Sequence, residues 1–272
     1  MKEIPFIKMD GLGNDFFIIE PKYSNIKLSA KEMQKLGNRK TGIGFDQLFI
    51  LKPSKKADIK MEIYNSDGSE AGACGNGARC VAYWIFRNKG VKECSIEAPG
   101  GKILKAFQGR LITVNMGPAK TDWSEIPLSK KMDTLYIPKF LPDLPEPCSI
   151  SMGNPHCVFF VKDIKKVDLA KYGPAVEWHP LFPQRTNVEF AQVISPTIVR
   201  MRVWERGAGI TSACGSGACA VLAAAIRRGF CRKNKKTKIV MDGGTLIIEQ
   251  EKNNDILMSG PVHLSFKGTA FL

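Results

Sequence analysis

ACGNGARC at 73–80 and ACGSGACA at 213–220 decide how this chain is organised. Each sets a cysteine before small residues that open an apolar, helix-forming run. Cys74 and Cys214 lie 140 positions apart. The same offset carries Asn14 of GLGND to Asn154 of SMGNP, Gln47 of FDQ to Asn187 of RTN, and Asn65 of MEIYN to Glu205 of MRVWE. Four landmarks at one spacing mark an internal repeat. The chain reads as two copies of one domain facing each other across a cleft, with one thiol from each.

Outward from these motifs, the first half reads as strands at 4–9 and 15–20, then a short helix starting at Ser29. There SAKE matches a capping box, and Gly37 is a stop. Strands follow near 47–52 and 59–64; IKMEIY alternates apolar and polar residues with the period of two of a half-buried strand. A helix over 76–89 ends before Gly90, and strands near 102–107 and 110–115 flank a turn at Gln108–Gly109. The second half repeats the order: strands near 148–152 and 156–162, a helix near 165–172 before Gly173–Pro174, a strand at 199–204, a helix at about 216–228, the strand-like KIVMD, and strands near 245–250 and 255–259. PGGKIL at 99–104 resembles DGGTLI at 242–247, slipped by about two positions from the offset. Gly117–Pro118 and the proline-rich 138–147 stretch place the junction shortly after residue 115. Many strands, one main helix per half and few long crossovers predict an α+β fold.

The chain has 272 residues, 44 % apolar and 24 % charged, the composition of a globular protein with room for two cores. No apolar run approaches the ~20 residues of a membrane span. The N-terminal MKEIPFIKMDGLGNDF lacks a signal peptide's apolar stretch and cleavage site, so the expected setting is a reducing cytoplasm. There the eight cysteines are thiols. The net charge of +14 raises the question of nucleic acid. However, the lysines are dispersed, the dense run RKNKKTK at 232–238 reads as a solvated connection, and no zinc-finger or RNA-recognition signature occurs.

The paired motifs suggest chemistry. Helix N-termini expose unpaired N–H groups and a positive dipole end, which suits a carboxylate and lowers the pKa of a neighbouring thiol. Two thiols on opposite sides of one bound amino acid can remove the proton beside its carboxylate and return one from the other face, inverting the stereocentre. The α-proton is far less acidic than a thiol of pKa about 8.5, and each unit of mismatch costs about 1.36 kcal/mol. Preorganised donors to the developing enolate supply roughly 3–4 kcal/mol each. The scheme calls for no metal and no cofactor. A lone cysteine at a helix start is more often a small buried hydrophobe, but its repetition reverses that reading. A Cys74–Cys214 disulfide conflicts with a reducing compartment, and neither half has zinc-ligand spacing. Cys80 and Cys219 read as core, and GLGNDF does not fit a dinucleotide fingerprint. Asparagines often cap turns, yet Asn14, Gln47, Asn65, Asn154 and Asn187 recur at the offset and point to a shared pocket. Glu205–Arg206 breaks the symmetry. An arginine there suits a second carboxylate and Glu205 an ammonium, so the substrate has two amino-acid ends.

The run of GLGNDF, GFDQ, NSDGSEAGACGNGARC, SMGNPHC and ERGAGITSACGSGACA resembles the diaminopimelate epimerase family over essentially the whole chain. The resemblance implies a cofactor-independent isomerase interconverting LL- and meso-diaminopimelate, on the route to lysine and peptidoglycan. It makes Cys74 and Cys214 the acid and base, with Cys214 the base in the LL-to-meso direction, assisted by His156 and Glu205. Asn14, Gln47, Asn65, Asn154, Asn187, Glu205 and Arg206 become substrate-binding, and Gly75–Asn76 and Gly215–Ser216 backbone donors to the reacting carboxylate. It further implies two pseudo-symmetric domains, each a β-barrel-like sheet wrapped on a central helix, that close around substrate. One half is residues 1–117 with a C-terminal strand at 263–272, the other is 118–262, and the assembly is a homodimer. Two positions depart from the pattern: Asp10, where many members have His or Asn, and Ile210, where many have Glu. The competing readings are a two-cysteine racemase of proline, hydroxyproline or another amino acid, an isomerase acting on a different carbon acid, and a non-catalytic amino-acid-binding protein. A distal amino-acid end would use Arg206, and proline lacks one. A binder would need neither thiol, and an isomerase of another carbon acid would be expected to have at least one cysteine replaced.

Overall fold

The computed structural model describes residues 2–72 and 74–272; Met1 and Ala73, the first residue of the first motif, lie outside them. The chain divides into two compact units. The first is Met1–Val114 with Gly260–Leu272, and the second is Asn115–Ser259.

In the first unit the chain runs through β1 (Glu3–Gly11), β2 (Asn14–Ile19), α1 (Ala30–Gly37), β3 (Gln47–Lys52), β4 (Ile59–Asn65), α2 (Gly75–Lys89), β5 (Glu93–Glu97) and β6 (Ile103–Gln108). The strand β7 (Ile112–Pro118) leads the chain on into the second unit. There it forms β8 (Cys148–Ser151), β9 (Pro155–Phe160), α3 (Leu169–Glu177), β10 (Asn187–Ser195), β11 (Ile198–Glu205), β12 (Gly209–Thr211), α4 (Gly215–Arg227), β13 (Thr237–Met241), β14 (Gly244–Gln250) and β15 (Asp255–Gly260). The last strand, β16 (His263–Phe271), returns to pair with β1.

Strand order shows the repeat. The first unit runs β1-β2-β3-β4-β5-β6-β7 and the second β8-β9-β10-β11-β13-β14-β15. Both mix parallel and antiparallel pairs in the same sequence: β2 and β3 are parallel, as are β9 and β10. The register keeps the 140-residue offset, with Phe16 opposite Gln47 in one unit and His156 opposite Asn187 in the other. Past the helix the offset grows by three rather than about two, since Ile59 pairs Ile96 whereas Val199 pairs Ile239.

Each sheet curls around one helix. α2 touches β1 on one side and β5 and β6 on the other, while α4 contacts strands from β8 round to β14. Both helices are therefore buried on most of their circumference, which explains the alanine-rich AVLAAA of α4: small side chains let strands approach from several sides. The fold is α+β, with two repeated units each built on a central helix.

Four local readings change. The helix expected near 165–172 starts later and continues to Glu177, with Pro174 inside it. Asp168 caps its start, and Leu169 and Val176 are anchored in the core. Gly173 lets it lie on Trp204, whose ring would stand 2.4 Å from any added Cβ. β5, β10 and the short β12 are additional strands. β10 has no alternating pattern to betray it, because Asn187–Ala191 are buried on both faces.

Candidate active site

The cysteines themselves cap the two central helices. Cys74 stands at φ −129°, ψ 104° before α2, and its sulfur accepts from the Gly77 N–H at 3.3 Å. Cys214 stands at φ −132°, ψ 112° before α4 and accepts from Gly217 N–H at the same distance. The helices thus begin one residue earlier than the sequence predicts, and each thiol sits in the first turn. Gly77 and Gly217 are required by close approach. A Cβ on Gly77 would lie 2.2 Å from the Phe49 ring; one on Gly217 would lie 2.8 Å from Glu189 Oε1 and 3.2 Å from Cys214 Sγ.

The surroundings of the two sulfurs differ. Cys74 is half-buried, while Cys214 is buried beside Glu205, Glu189 and the Ser216 hydroxyl. Burial first, then the charges of Glu205 and Glu189, push the Cys214 thiol well above its usual value, overriding the Ser216 and Gly217 hydrogen bonds. In this unit the helix end does not make the thiolate expected from sequence: two carboxylates and desolvation outweigh one dipole. Burial likewise raises Glu205, against hydrogen bonds from Thr211 and Cys214.

Around Cys214 the structure assembles a polar chain. Ser216 Oγ lies 3.6 Å from Cys214 Sγ and accepts from Asn154 Nδ2 at 3.4 Å; Asn154 Oδ1 is 3.1 Å from His156 Nε2, and His156 Nδ1 is 2.6 Å from Glu189 Oε1. His156 and Glu189 are both fully buried. Asn187 is committed to the scaffold: its Nδ2 donates to the Pro155 carbonyl and its Oδ1 accepts from Arg206 N–H. That braces the Glu205–Arg206 corner. The Arg206 side chain is exposed and donates to the Gln184 carbonyl. Glu177 completes the corner by accepting from Trp204 Nε1 and Gly207 N–H.

In the first unit Asn14 donates to Asp46 Oδ2 at 2.8 Å, and Gln47 Nε2 donates to Asn65 Oδ1 at 3.3 Å. The buried Gln47 Oε1 and Asn76 Oδ1 have no hydrogen-bond partner among the described residues. Asp10, the first departure, faces His263 Nδ1 at 3.2 Å, so a β1 acid meets a β16 histidine. Ile210, the second, lies exposed on β12 opposite Trp204. Among the described residues, which include all eight cysteines, every sulfur is a thiol, and Cys80 and Cys219 are buried. Sequence reasoning missed Glu189, Thr211, Asp46 and Glu177. The offset gave no signal for the first, since it sets Phe49 against Glu189.

Two repeated α+β units, each with a cysteine-capped central helix, define a fold found among epimerases and related proteins. The structure is similar to a hydroxyproline epimerase from Agrobacterium vitis, with TM-score 0.69 at 13 % identity, covering 98 % of this chain and 92 % of that one. It is equally similar to a Bacillus anthracis phenazine biosynthesis protein, with TM-score 0.69 at 15 % identity and full coverage of both chains. The chain belongs to the diaminopimelate epimerase family, whose sequence model matches residues 6–121 and 148–265. A diaminopimelate epimerase from Rhodospirillum centenum is 47 % identical over 266 residues, covering 97 % of this chain and 91 % of its own. One from Phenylobacterium zucineum is 44 % identical over 269 residues, covering 97 % and 96 %.

Proposed function

We propose that this isomerase interconverts LL- and meso-diaminopimelate by two-thiol proton transfer at Cα, with Cys74 and Cys214 in the two roles. The observation that carries the reading is the matched pair of capping sulfurs, each accepting from the N–H three residues on. Both cysteines are thereby fixed beside the free donors of a helix start, where a carboxylate binds well. Gly75–Asn76 and Gly215–Ser216 are the donors to the reacting carboxylate.

Cys214 rests as the thiol, so its proton must leave before it can act as base. Glu205, hydrogen-bonded to that sulfur and itself raised by burial, is the acceptor at hand. The Cα–H proton then passes to the Cys214 sulfur, and the Cys74 S–H bond breaks to deliver a proton to the opposite face. The products are inverted amino acid, a Cys214 thiol, a Cys74 thiolate and a protonated Glu205 that holds the first Cys214 proton; the thiolate on Cys74 starts the reverse direction. The protein's own groups supply every proton, and the reading includes no cofactor and no metal. Arg206, held out from its braced corner, takes the distal carboxylate. Asn14, Gln47, Asn65, Asn154 and Asn187 orient the remaining polar groups, the last through the backbone it holds.

A proline-type racemase is less well supported, because the hydroxyproline epimerase shares the fold at 13 % identity against 47 % for the diaminopimelate epimerase. Among the described residues no helix is long and apolar enough to cross a membrane. Cytoplasmic location and a homodimer belong to the same proposal. For the latter, β16 is the end strand of its sheet and exposes Leu264, Phe266 and Phe271.

Incubation with LL-diaminopimelate in deuterated water tests the reaction, with Cα–H loss and meso product followed by NMR. Wild type should take up deuterium and form meso product, and Cys74→Ala should lose at least ~100-fold in rate. A reduced wild type that does neither would overturn the assignment.

A further inference from the structure

The two units differ at one buried pair that the repeat should have kept alike. In the first unit Phe16 and Phe49 stack, ring centroids 4.8 Å apart, both fully buried. At the 140-residue offset the second unit has His156 and Glu189, also fully buried and joined at 2.6 Å. The flanking register is the same in both. An apolar pair therefore satisfies this fold at this place. The His–Glu pair meets no packing need, and a buried polar pair carries a desolvation cost that apolar replacement usually relieves.

Its position gives it a use. Beside α2, the atom nearest the missing Gly77 Cβ is the Phe49 ring; beside α4, the equivalent point at Gly217 is flanked by Glu189 Oε1 and Cys214 Sγ. A carboxylate thus fills a phenyl ring's place against the helix turn that the catalytic sulfur caps. Resting on the epimerase reading above, we propose that Glu189 is a positioning residue for Cys214: it fixes the His156 ring with Nδ1 turned inward and sets a negative charge against the first turn of α4. In that arrangement Nδ1–H donates to Glu189 and Nε2–H to Asn154 Oδ1, while Asn154 Nδ2 donates to Ser216 beside the sulfur. Among the described residues Glu189 Oε2 has no hydrogen-bond partner, and His156 is the partner of Oε1. The charged groups facing Cys214 are Glu205 on β11 and Glu189 on β10, with the Ser216 hydroxyl on α4, while His156 on β9 faces Glu189 and Glu205. After burial and Glu205, Glu189 is the next cause holding that thiol up.

The test uses the full-length protein and needs no substrate for its first two readouts. In 15N-histidine-labelled wild type at neutral pH, His156 should carry a proton on Nδ1. In 13Cβ-cysteine-labelled protein, with Cys214 assigned by its loss in Cys214→Ala, Glu189→Gln should move the Cys214 titration to lower pH. Glu189→Asp should leave it nearer wild type. In the epimerase assay Glu189→Gln should lower kcat about tenfold or more while KM stays within about twofold. The double variant His156→Phe, Glu189→Phe, copying the first unit, should fold with undiminished thermal stability and lose activity. A wild-type ring protonated at Nε2 alone, or a Cys214 titration unmoved in Glu189→Gln, would overturn the proposal. Absent wild-type turnover alongside the expected NMR results would count against the epimerase reading alone.

Discussion

At the scale of single residues, one amino-acid type in one backbone conformation has two chemistries here. Cys74 and Cys214 cap their helices with nearly equal angles, yet Cys74 is half-buried while Cys214 is buried beside Glu205 and Glu189. Asp15 shows the opposite balance. Burial alone would raise its carboxyl, but Arg39, at 2.7 and 3.0 Å, and Lys8, at 2.7 Å, outweigh it and hold it at about 2. A folded value below the unfolded one, near 3.9, stabilises the protein above about pH 4 and is lost as pH falls toward 2. Over that window wild type should lose on the order of 1–2 kcal/mol more than Asp15→Asn, the exposure of Arg39 keeping the figure small. Urea unfolding between pH 5 and pH 2 measures it, and parallel curves for the two proteins would refute it. The sequence made the cysteines and the Asn14–Asn154 pair legible because they recur like for like at one offset, and Gln47–Asn187 because one amide replaces another. Glu189 escaped because its counterpart is Phe49: a charge replacing a ring leaves no visible match, and only the structure shows that both fill one slot.

At the scale of elements, legibility followed local chemistry. The Ser29–Glu32 capping box forms as written, with both reciprocal hydrogen bonds present, and β4 buries the apolar residues of its alternation. β10 was hidden because burial on both faces erases the period of two, and the extension of α3 to Glu177 because tertiary anchors outweigh the cost of Pro174. Where helix meets sheet, small size is the controlling variable. Gly77 has no room for a methyl group, since its Cβ would penetrate the Phe49 ring at 2.2 Å. Gly77→Ala should therefore push α2 off β3 and cost roughly 1–3 kcal/mol. Thermal unfolding monitored by circular dichroism reads this loss. An unchanged midpoint would mean that the Phe49 ring can turn aside.

At the scale of the whole molecule, the chain's last strand completes its first unit. β16 pairs β1 from Glu3 opposite Phe271 to Asp10 opposite His263, and backbone hydrogen bonds join Lys2 to Leu272 at 2.9 and 3.0 Å. Ala270 enters the core cluster that holds Ile4, Phe6 and Phe17. These pairings span nearly the full sequence, so they form only when both ends are present and carry a large loop-closure entropy. The second unit has its own helix and its own cluster around Phe159, Phe190 and Val188, none of which draws on β16. Deleting residues 262–272 should therefore weaken one unit selectively. β1 loses its β16 partner, Phe6 loses its edge contact with Phe266, and the first unit should melt at least ~10 °C below the second. Thiol labelling on a temperature ramp, read by mass spectrometry, distinguishes the units. Cys80, buried in α2, should become reactive in the truncated protein well before Cys219, buried in α4. If the two cysteines became reactive together, the units would unfold as one, and the terminal strand would stabilise the molecule as a whole rather than the half it pairs with.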